Sequence, residues 1–178
     1  MLTLLSPIQW IATGALLLRL IACVIYDLRS RQVPVLLTLL PLVLAAGWRS
    51  LQGGWQMVLL VILLVLISDL PKPSWHIPLA CLGTVVILAI SGSSISLSPF
   101  LATIAVWLAW ETGATGGADA KIIITLVLFF ADGWLFVPIV LVGGVQGLIA
   151  LFSKQKAIPY TVAISLGTAA WMGLSVIR

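Results

Sequence analysis

The sequence predicts an all-α protein, a polytopic bundle of about 6 to 8 transmembrane helices. Its 178 residues are 62% hydrophobic and 8% charged, whereas about a quarter of the residues are charged in an average soluble domain. The apolar runs are continuous, unlike the alternating strands of a transmembrane barrel. No stretch has the composition of a soluble domain. We therefore expect a single integral-membrane domain over residues 1–178.

Eight apolar runs follow one another along the chain, and most of the breaks between them contain Gly, Pro or Ser, which are typical of turns. The breaks read "DLRSRQVP", "SLQGGW", "DLPKPSWH", "SGSSISLSP", "ETGATGGADAK", "DGW" and "SKQKAIP". A span needs about 20 apolar residues, or fewer where the bilayer is thin. We expect helices near residues 8–26, 34–51, 55–70, 77–92, 98–112, 121–131, 134–152 and 158–177.

The run 121–131 is the shortest, and as a helix it would rise only about 16 Å. We interpret it either as a half-helix that begins within the membrane or as the first part of one kinked span that continues through "ADGW". Both interpretations place Asp119 below the membrane surface, in a pocket that water can reach, because irregular backbone needs protein or water around it there.

Charge predicts the orientation of the chain. The net charge is +4, and its basic residues are scattered among the loops, so we expect no nucleic-acid partner. Eight crossings put the loops at 27–34, 69–76, 111–121 and 153–159 on one side, which is cytoplasmic by the positive-inside rule. That side holds Arg29, Arg31, Lys72, Lys121, Lys154 and Lys156. We therefore expect a multi-pass protein of the cytoplasmic (inner) cell membrane.

No signal for a cofactor or a cleaved leader is present. Cys23 and Cys81 both lie inside apolar runs and form no C-x-x-C pair, so the sequence suggests neither a zinc site nor a disulfide framework. No Lys or Arg precedes Arg19, so the first run lacks the charged start of a secretory signal and is expected to remain as a membrane helix. We expect no metal and no cofactor.

Five acids interrupt this apolar chain, and each taken alone is typical of a helix end or a turn. They are Asp27, Asp69, Glu111, Asp119 and Asp132. Asp27 and Asp119 are predicted on the same membrane face, and two carboxylates brought together share one proton. The ionised acid can take a proton from water while the protonated acid polarises a peptide carbonyl, which is the chemistry of aspartic peptide hydrolysis. Gly116 and Gly117 are expected to permit positive φ and close backbone approach to a substrate strand.

Arg19 and His76 are more simply interpreted as structural residues than as catalytic ones. Arg19 lies over two helical turns before Asp27, where an arginine must face the bundle interior or snorkel. Glu111 is a possible partner, and we favour such structural pairing over a direct role in binding substrate. His76 opens a helix with "HIP" and is expected at the membrane interface.

Three stretches together resemble the type IV prepilin peptidases. Asp27 followed by Val33-Pro34 is similar to the first motif of that family. "GGADAK", with Asp119 and Lys121, is similar to the second motif, G-x-G-D-x-K, which the family shares in part with the G-x-G-D intramembrane aspartyl proteases. "IPYTVAISLG" (158–167) is similar to the closing helix of the family. The resemblance extends from about residue 8 to residue 177, so it covers essentially the whole chain.

The resemblance implies a membrane endopeptidase that removes the short basic leader from pilin-like precursors (pilins, archaellins or pseudopilins) at the cytoplasmic face. Asp27 and Asp119 would be the catalytic pair. Gly116, Gly117 and Lys121 would support the loop around the second acid or bind substrate. The partners implied are a precursor with a basic leader and a hydrophobic helix, and the lipid bilayer.

The chain departs from the family pattern in several places. Ala118 replaces the usual second glycine of the motif, and Val35 replaces the common Asn after the proline. The long separation of the two aspartates indicates an inserted helix pair within 55–112. The large cytoplasmic domain with paired C-x-x-C motifs is missing, so we expect no N-methyltransferase activity.

Two other functions fit the same residues. A small proton- or cation-coupled transporter could use Asp27 and Asp119, because intramembrane acids also mark ion pathways. Such a transporter typically shows two matching broken helices, and the sequence shows one broken region, at 111–134. An inactive homologue that acts in assembly is suggested by Ala118.

Overall fold

The computed structural model describes residues 7–30, 32–71, 73–92, 96–153 and 159–177, and every regular element in these ranges is helical. The α-helices are α1 (Pro7–Ser30), α2 (Val35–Leu51), α3 (Trp55–Ser68), α4 (His76–Ser91), α5 (Leu97–Glu111), α6 (Gly117–Phe130), α7 (Phe136–Ser153) and α8 (Tyr160–Ile177). Short 3-10 turns at Pro73–Trp75 and Gly133–Leu135 precede α4 and α7. The all-α prediction is confirmed for the described part of the chain. Arg31, Lys72, Lys154 and Lys156, which entered the charge count, lie outside it.

Helix α1 is longer than predicted and includes Asp27. The sequence suggested that the first helix ends near residue 26, yet α1 continues to Ser30. None of the residues that follow Asp27 breaks a helix until Val33, which precedes Pro34 and is therefore biased away from helical geometry. Asp27 thus lies in the last turns of α1 and not in a loop.

Helix α6 begins earlier than predicted and ends before the "DGW" turn. It starts at Gly117, so Asp119 lies in its first turn. It ends at Phe130, because Ala131 adopts the left-handed conformation with φ 53°. The kinked continuation through "ADGW" is therefore wrong. The helix has 14 residues, which corresponds to a length of about 21 Å.

The chain divides into two compact units. The terminal unit comprises Met1–Pro41 and Trp134–Arg178, and the central unit comprises Leu42–Gly133. In the terminal unit α8 packs against both α1 and α7. In the central unit α3 packs against α4 and α5, and α5 packs against α6. Every side chain of α6 from Ile122 to Leu128 is buried.

Many large apolar side chains are exposed on these helices. Leu36 is 73% exposed, Leu141 65% and Phe152 83%. Within the described ranges, Ile11–Ser30 is long and apolar enough to cross a membrane, and 17% of its apolar window is buried. The shorter apolar helices have 10–17 residues. Ile11–Ser30 lies near the N-terminus, and one such helix by itself is also compatible with a signal sequence or a core helix.

The contact between α7 and α8 depends on Gly167. A Cβ atom at this position would lie 2.5 Å from the Cα of Ile139, so the two backbones are too close for any side chain. We predict that Gly167→Ala lowers the free energy of unfolding by about 1–3 kcal/mol, as overpacking typically does. Gly173→Ala is the matched control, since it lies in the same helix and a Cβ there meets nothing within 4 Å. Chemical unfolding in detergent measures both, and equal stability of the two variants would contradict the close approach.

Candidate functional site

Asp27 is held by a threonine of the closing helix. Its side chain is half-buried in the terminal unit, and its Oδ2 accepts a hydrogen bond of 2.6 Å from Oγ1 of Thr161. Thr161 is 2% exposed and lies in the first turn of α8. The C-terminal end of a helix disfavours a carboxylate, so the hydroxyl compensates for the position of Asp27 in α1. The bond fixes the orientation of Asp27, and Oδ1 has no hydrogen-bond partner among the described residues.

Asp119 occupies the first turn of α6, in the central unit. The N-terminal end of a helix favours a carboxylate, and no other acid lies in that turn. Gly116 is the N-cap and provides no side-chain hydrogen bond. A Cβ at Gly116 would lie 3.1 Å from Oδ2 of Asp119, and one at Gly117 would lie 3.3 Å from Nε1 of Trp110. The glycine pair therefore leaves room for the carboxylate and for an indole.

The expected positive φ of Gly116 and Gly117 is wrong. Gly116 has φ −71° in the extended region, and Gly117 is already helical. The left-handed glycine of this loop is Gly113, with φ 73°. Ala114 N–H donates to the carbonyl of Ala109 and Gly113 N–H to that of Trp110. These two bonds form a Schellman motif, which ends α5 and requires a left-handed residue one position after the cap.

Lys121 lies one turn beyond the start of α6 and is half-buried. Its carbonyl accepts a hydrogen bond of 2.6 Å from Oγ1 of Thr125. Its ammonium group forms no ion pair with a carboxylate in the described ranges. The N-cap and first turns of α6 therefore hold Gly116, Gly117, Asp119 and Lys121, the matching residues of the second motif. Asp27 lies in the terminal unit.

A polar network at the loop ends of α3, α4 and α5 was not predicted from the sequence. Glu111 hydrogen-bonds through Oε1 to Ser68 and through Oε2 to Nδ1 of His76, at 2.9 Å. Trp107 Nε1 donates to Oγ of Ser68 at 2.9 Å, and Nε2 of His76 lies 3.1 Å from the carbonyl oxygen of Leu70. Both imidazole nitrogens face acceptors, and only a protonated imidazole can donate to both. His76, expected at the interface, is 6% exposed.

Arg19 and Glu111, considered above as possible partners, each form hydrogen bonds within their own unit. Nε of Arg19 donates to the carbonyl of Leu37 at 2.7 Å. Its Nη1 and Nη2 are buried and have no hydrogen-bond partner among the described residues. Glu111 instead holds the polar network together.

We predict that Glu111→Ala lowers the unfolding temperature by about 3 °C or more. The change leaves Ser68 and the buried His76 without their shared partner, and an unsatisfied buried group costs free energy. Thr84→Val is the control, since its half-buried hydroxyl bonds only to the carbonyl of Ala80 in its own helix. Tryptophan fluorescence during heating measures both variants. An unchanged unfolding temperature in Glu111→Ala would show that the network contributes nothing to stability.

The candidate residues therefore fall into two groups that are each built within one unit, Asp27 with Thr161 and Asp119 with its two glycines. A comparison of the chain with family models, curated proteins and solved structures finds no match.

Proposed function

We propose that the chain is a membrane aspartic endopeptidase of the prepilin-peptidase type, which removes the basic leader from pilin-like precursors. The observation that carries this proposal is the hydrogen bond between Asp27 and Thr161. It joins two of the three stretches that resemble the family, across 134 positions of the sequence. A hydroxyl that orients a half-buried carboxylate is what a catalytic acid requires, because a reacting group must be held in its productive geometry.

The start of α6 supports the same proposal for Asp119. Its carboxylate lies at a helix N-terminus, where negative charge is favoured, and Gly116 has no side chain that would crowd its Oδ2. Ala118, the departure from the usual motif, is the second residue of α6. A glycine is not required at a helical position, so Ala118 is compatible with an active enzyme.

The exposed apolar surface supports a polytopic membrane bundle. Helices α3 and α7 contain no charged residue, and both expose aliphatic side chains, among them Leu66 and Leu148. Large exposed apolar patches mark membrane or protein contacts, and lipid would cover these helices at no hydrophobic cost. Helices of 14–18 residues rise about 21–27 Å, slightly less than a typical hydrocarbon core. A locally thinned bilayer accommodates that length.

In the proposed reaction the two aspartates share one proton. The ionised carboxylate takes a proton from water, and the water oxygen attacks the scissile carbonyl carbon while the protonated carboxyl donates to the carbonyl oxygen. The tetrahedral intermediate then collapses, the C–N bond breaks, and the leaving amine takes up a proton from the pair. The basic leader would be drawn to the acidic residues near the two aspartates' helix ends, among which Asp69 is exposed.

Cleavage by the purified protein tests the proposal. The protein is reconstituted into phospholipid vesicles with a precursor that has a basic leader and one apolar helix, and mass spectrometry identifies the products. We expect a single cut between the leader and the helix. Vesicles that transport protons or cations but leave the precursor intact would instead support the transporter.

A further inference from the structure

A proline interrupts the hydrogen bonding of helix α2. Pro41 lies inside the helix, which continues on both sides of it. Proline has no backbone N–H, and its ring pushes against the carbonyl four positions earlier. The carbonyl of Leu37 therefore cannot accept the hydrogen bond that the N–H of residue 41 would otherwise donate. A carbonyl shielded from water needs another donor, because buried backbone groups are nearly always paired, and in a bilayer no water can serve.

Arg19 supplies that donor from helix α1. Its Nε donates to the carbonyl oxygen of Leu37 at 2.7 Å, across 18 positions of the sequence. Its Nη1 and Nη2 are buried and have no hydrogen-bond partner among the described residues. An arginine within a membrane helix is costly, whereas a hydrogen bond from a charged donor is stronger than a neutral one. The bond to Leu37 thus gives Arg19 a structural role that its charge alone did not suggest.

Side-chain packing around Pro41 does little to oppose a bend of α2. The large side chains on both sides of the proline are exposed, namely Leu39, Leu40, Val43 and Leu44. Sharp kinks in helices occur mostly at prolines. A hydrogen bond to the carbonyl that the proline leaves without its helical donor is therefore well placed to determine whether α2 bends.

The proline also lies where the chain passes from one compact unit to the other. The first segment of the terminal unit ends at Pro41, and the central unit begins at Leu42. The two halves of α2 therefore belong to different units, and a bend at Pro41 acts on the link between them.

We propose that Pro41 is a hinge in α2 and that the hydrogen bond from Arg19 to Leu37 locks it. While the bond is made, the carbonyl of Leu37 is paired and α2 stays continuous. When it breaks, the helix bends at the proline. The proposal does not depend on peptidase activity, because neither candidate aspartate takes part in the contact.

A distance measured along α2 tests the hinge. Cysteines that replace the exposed residues Leu36 and Leu51 carry nitroxide spin labels, and double electron–electron resonance gives the distance between the labels in detergent. An uninterrupted helix places these two positions about 22 Å apart. Cys81 is replaced by alanine, and Cys23 is fully buried, so labelling is confined to the introduced cysteines.

The variants separate the lock from the hinge. Arg19→Leu removes the donor, Pro41→Ala restores an N–H to α2, and a third variant combines the two changes. Arg29→Leu, which removes an exposed arginine of the same helix α1, is the control for the loss of a charge. The unfolding temperature of each variant is followed by tryptophan fluorescence.

We expect a narrow distance distribution in the protein with both residues intact and in Arg29→Leu. Arg19→Leu should broaden the distribution toward shorter distances, because the unlocked helix bends at the proline. Its unfolding temperature should fall by about 3 °C or more, since the carbonyl of Leu37 is left unpaired. Adding Pro41→Ala should restore both values, because α2 then supplies the donor itself.

Two results would overturn the proposal. An unchanged distribution in Arg19→Leu would show that Arg19 does not lock α2, and a broad distribution that persists in the double variant would show that Arg19 acts by packing and not through the proline. If Arg19→Leu does not accumulate in membranes, its protein level is compared with that of the double variant. Recovery by Pro41→Ala supports the lock, and failure to recover contradicts it.

Discussion

On the proposed function, replacing Asp27 or Asp119 with asparagine is expected to abolish precursor cleavage while the protein still accumulates in the membrane. Asparagine keeps the shape of aspartate but can neither take a proton from water nor share one with a second acid. Loss of general acid–base catalysis typically lowers a rate by about 100- to 10,000-fold. Cleavage of a labelled precursor in membranes, at matched protein level, measures the effect. In Asp27→Asn the amide oxygen would still accept the hydrogen bond from Thr161, so folding of the terminal unit should be retained.

Asp69→Asn and Asp132→Asn are the matched controls for this result. Asp69 is an exposed residue at the C-terminal cap of α3, and Asp132 lies in the turn after α6. Both should keep most of the wild-type rate. If Asp27 and Asp119 act as one unit, the double variant will be no slower than either single variant, since effects within a catalytic unit are not additive. Normal cleavage by either single variant would remove that aspartate from the mechanism.

The helices could be predicted from the sequence because their breaks are chemically distinct. Continuous apolar runs bounded by Gly, Pro and Ser locate the centre of every helix to within a few residues. Two helix ends that bear on the site could not be located in this way. Residues 28–30 neither favour nor break a helix, and "ETGATGG" contains three glycines, of which only Gly113 adopts positive φ. Local composition does not say which glycine ends one helix and which begins the next.

The partners of the site residues could not be predicted because they are far apart in the sequence. Thr161 lies 134 positions from Asp27, and Glu111 lies 43 and 35 positions from Ser68 and His76. Charge alone suggested Arg19 as a possible partner of Glu111 and did not identify the histidine and the hydroxyl that Glu111 contacts. A usable signal was present, since Ser68, His76 and Glu111 all border loops predicted on the same side of the membrane. Polar residues at such ends are candidates for mutual contact.

Replacing Thr161 with valine will lower the cleavage rate by about 10- to 100-fold, the second-largest effect expected. Valine has nearly the shape of threonine but has no hydroxyl, so Oδ2 of Asp27 loses the hydrogen bond that orients it. Loss of a hydrogen bond to a charged group typically costs about 1.5–3 kcal/mol, which corresponds to this range of rates. Thr161 is a positioning residue, so kcat should fall while KM stays near its wild-type value.

The control for Thr161→Val is Thr168→Val, because both threonines are buried in α8. The hydroxyl of Thr168 bonds only to the carbonyl of Ile164 in its own helix, at 2.7 Å. Its removal therefore tests the cost of the substitution to α8 without touching Asp27. Thr161→Ser keeps the hydroxyl and should recover most of the activity, which a purely structural role of the threonine methyl would not allow. If Thr161→Val and Thr168→Val lose activity equally, or if Thr161→Ser is as slow as Thr161→Val, then the contact with Asp27 is part of helix packing and does not position a catalytic acid.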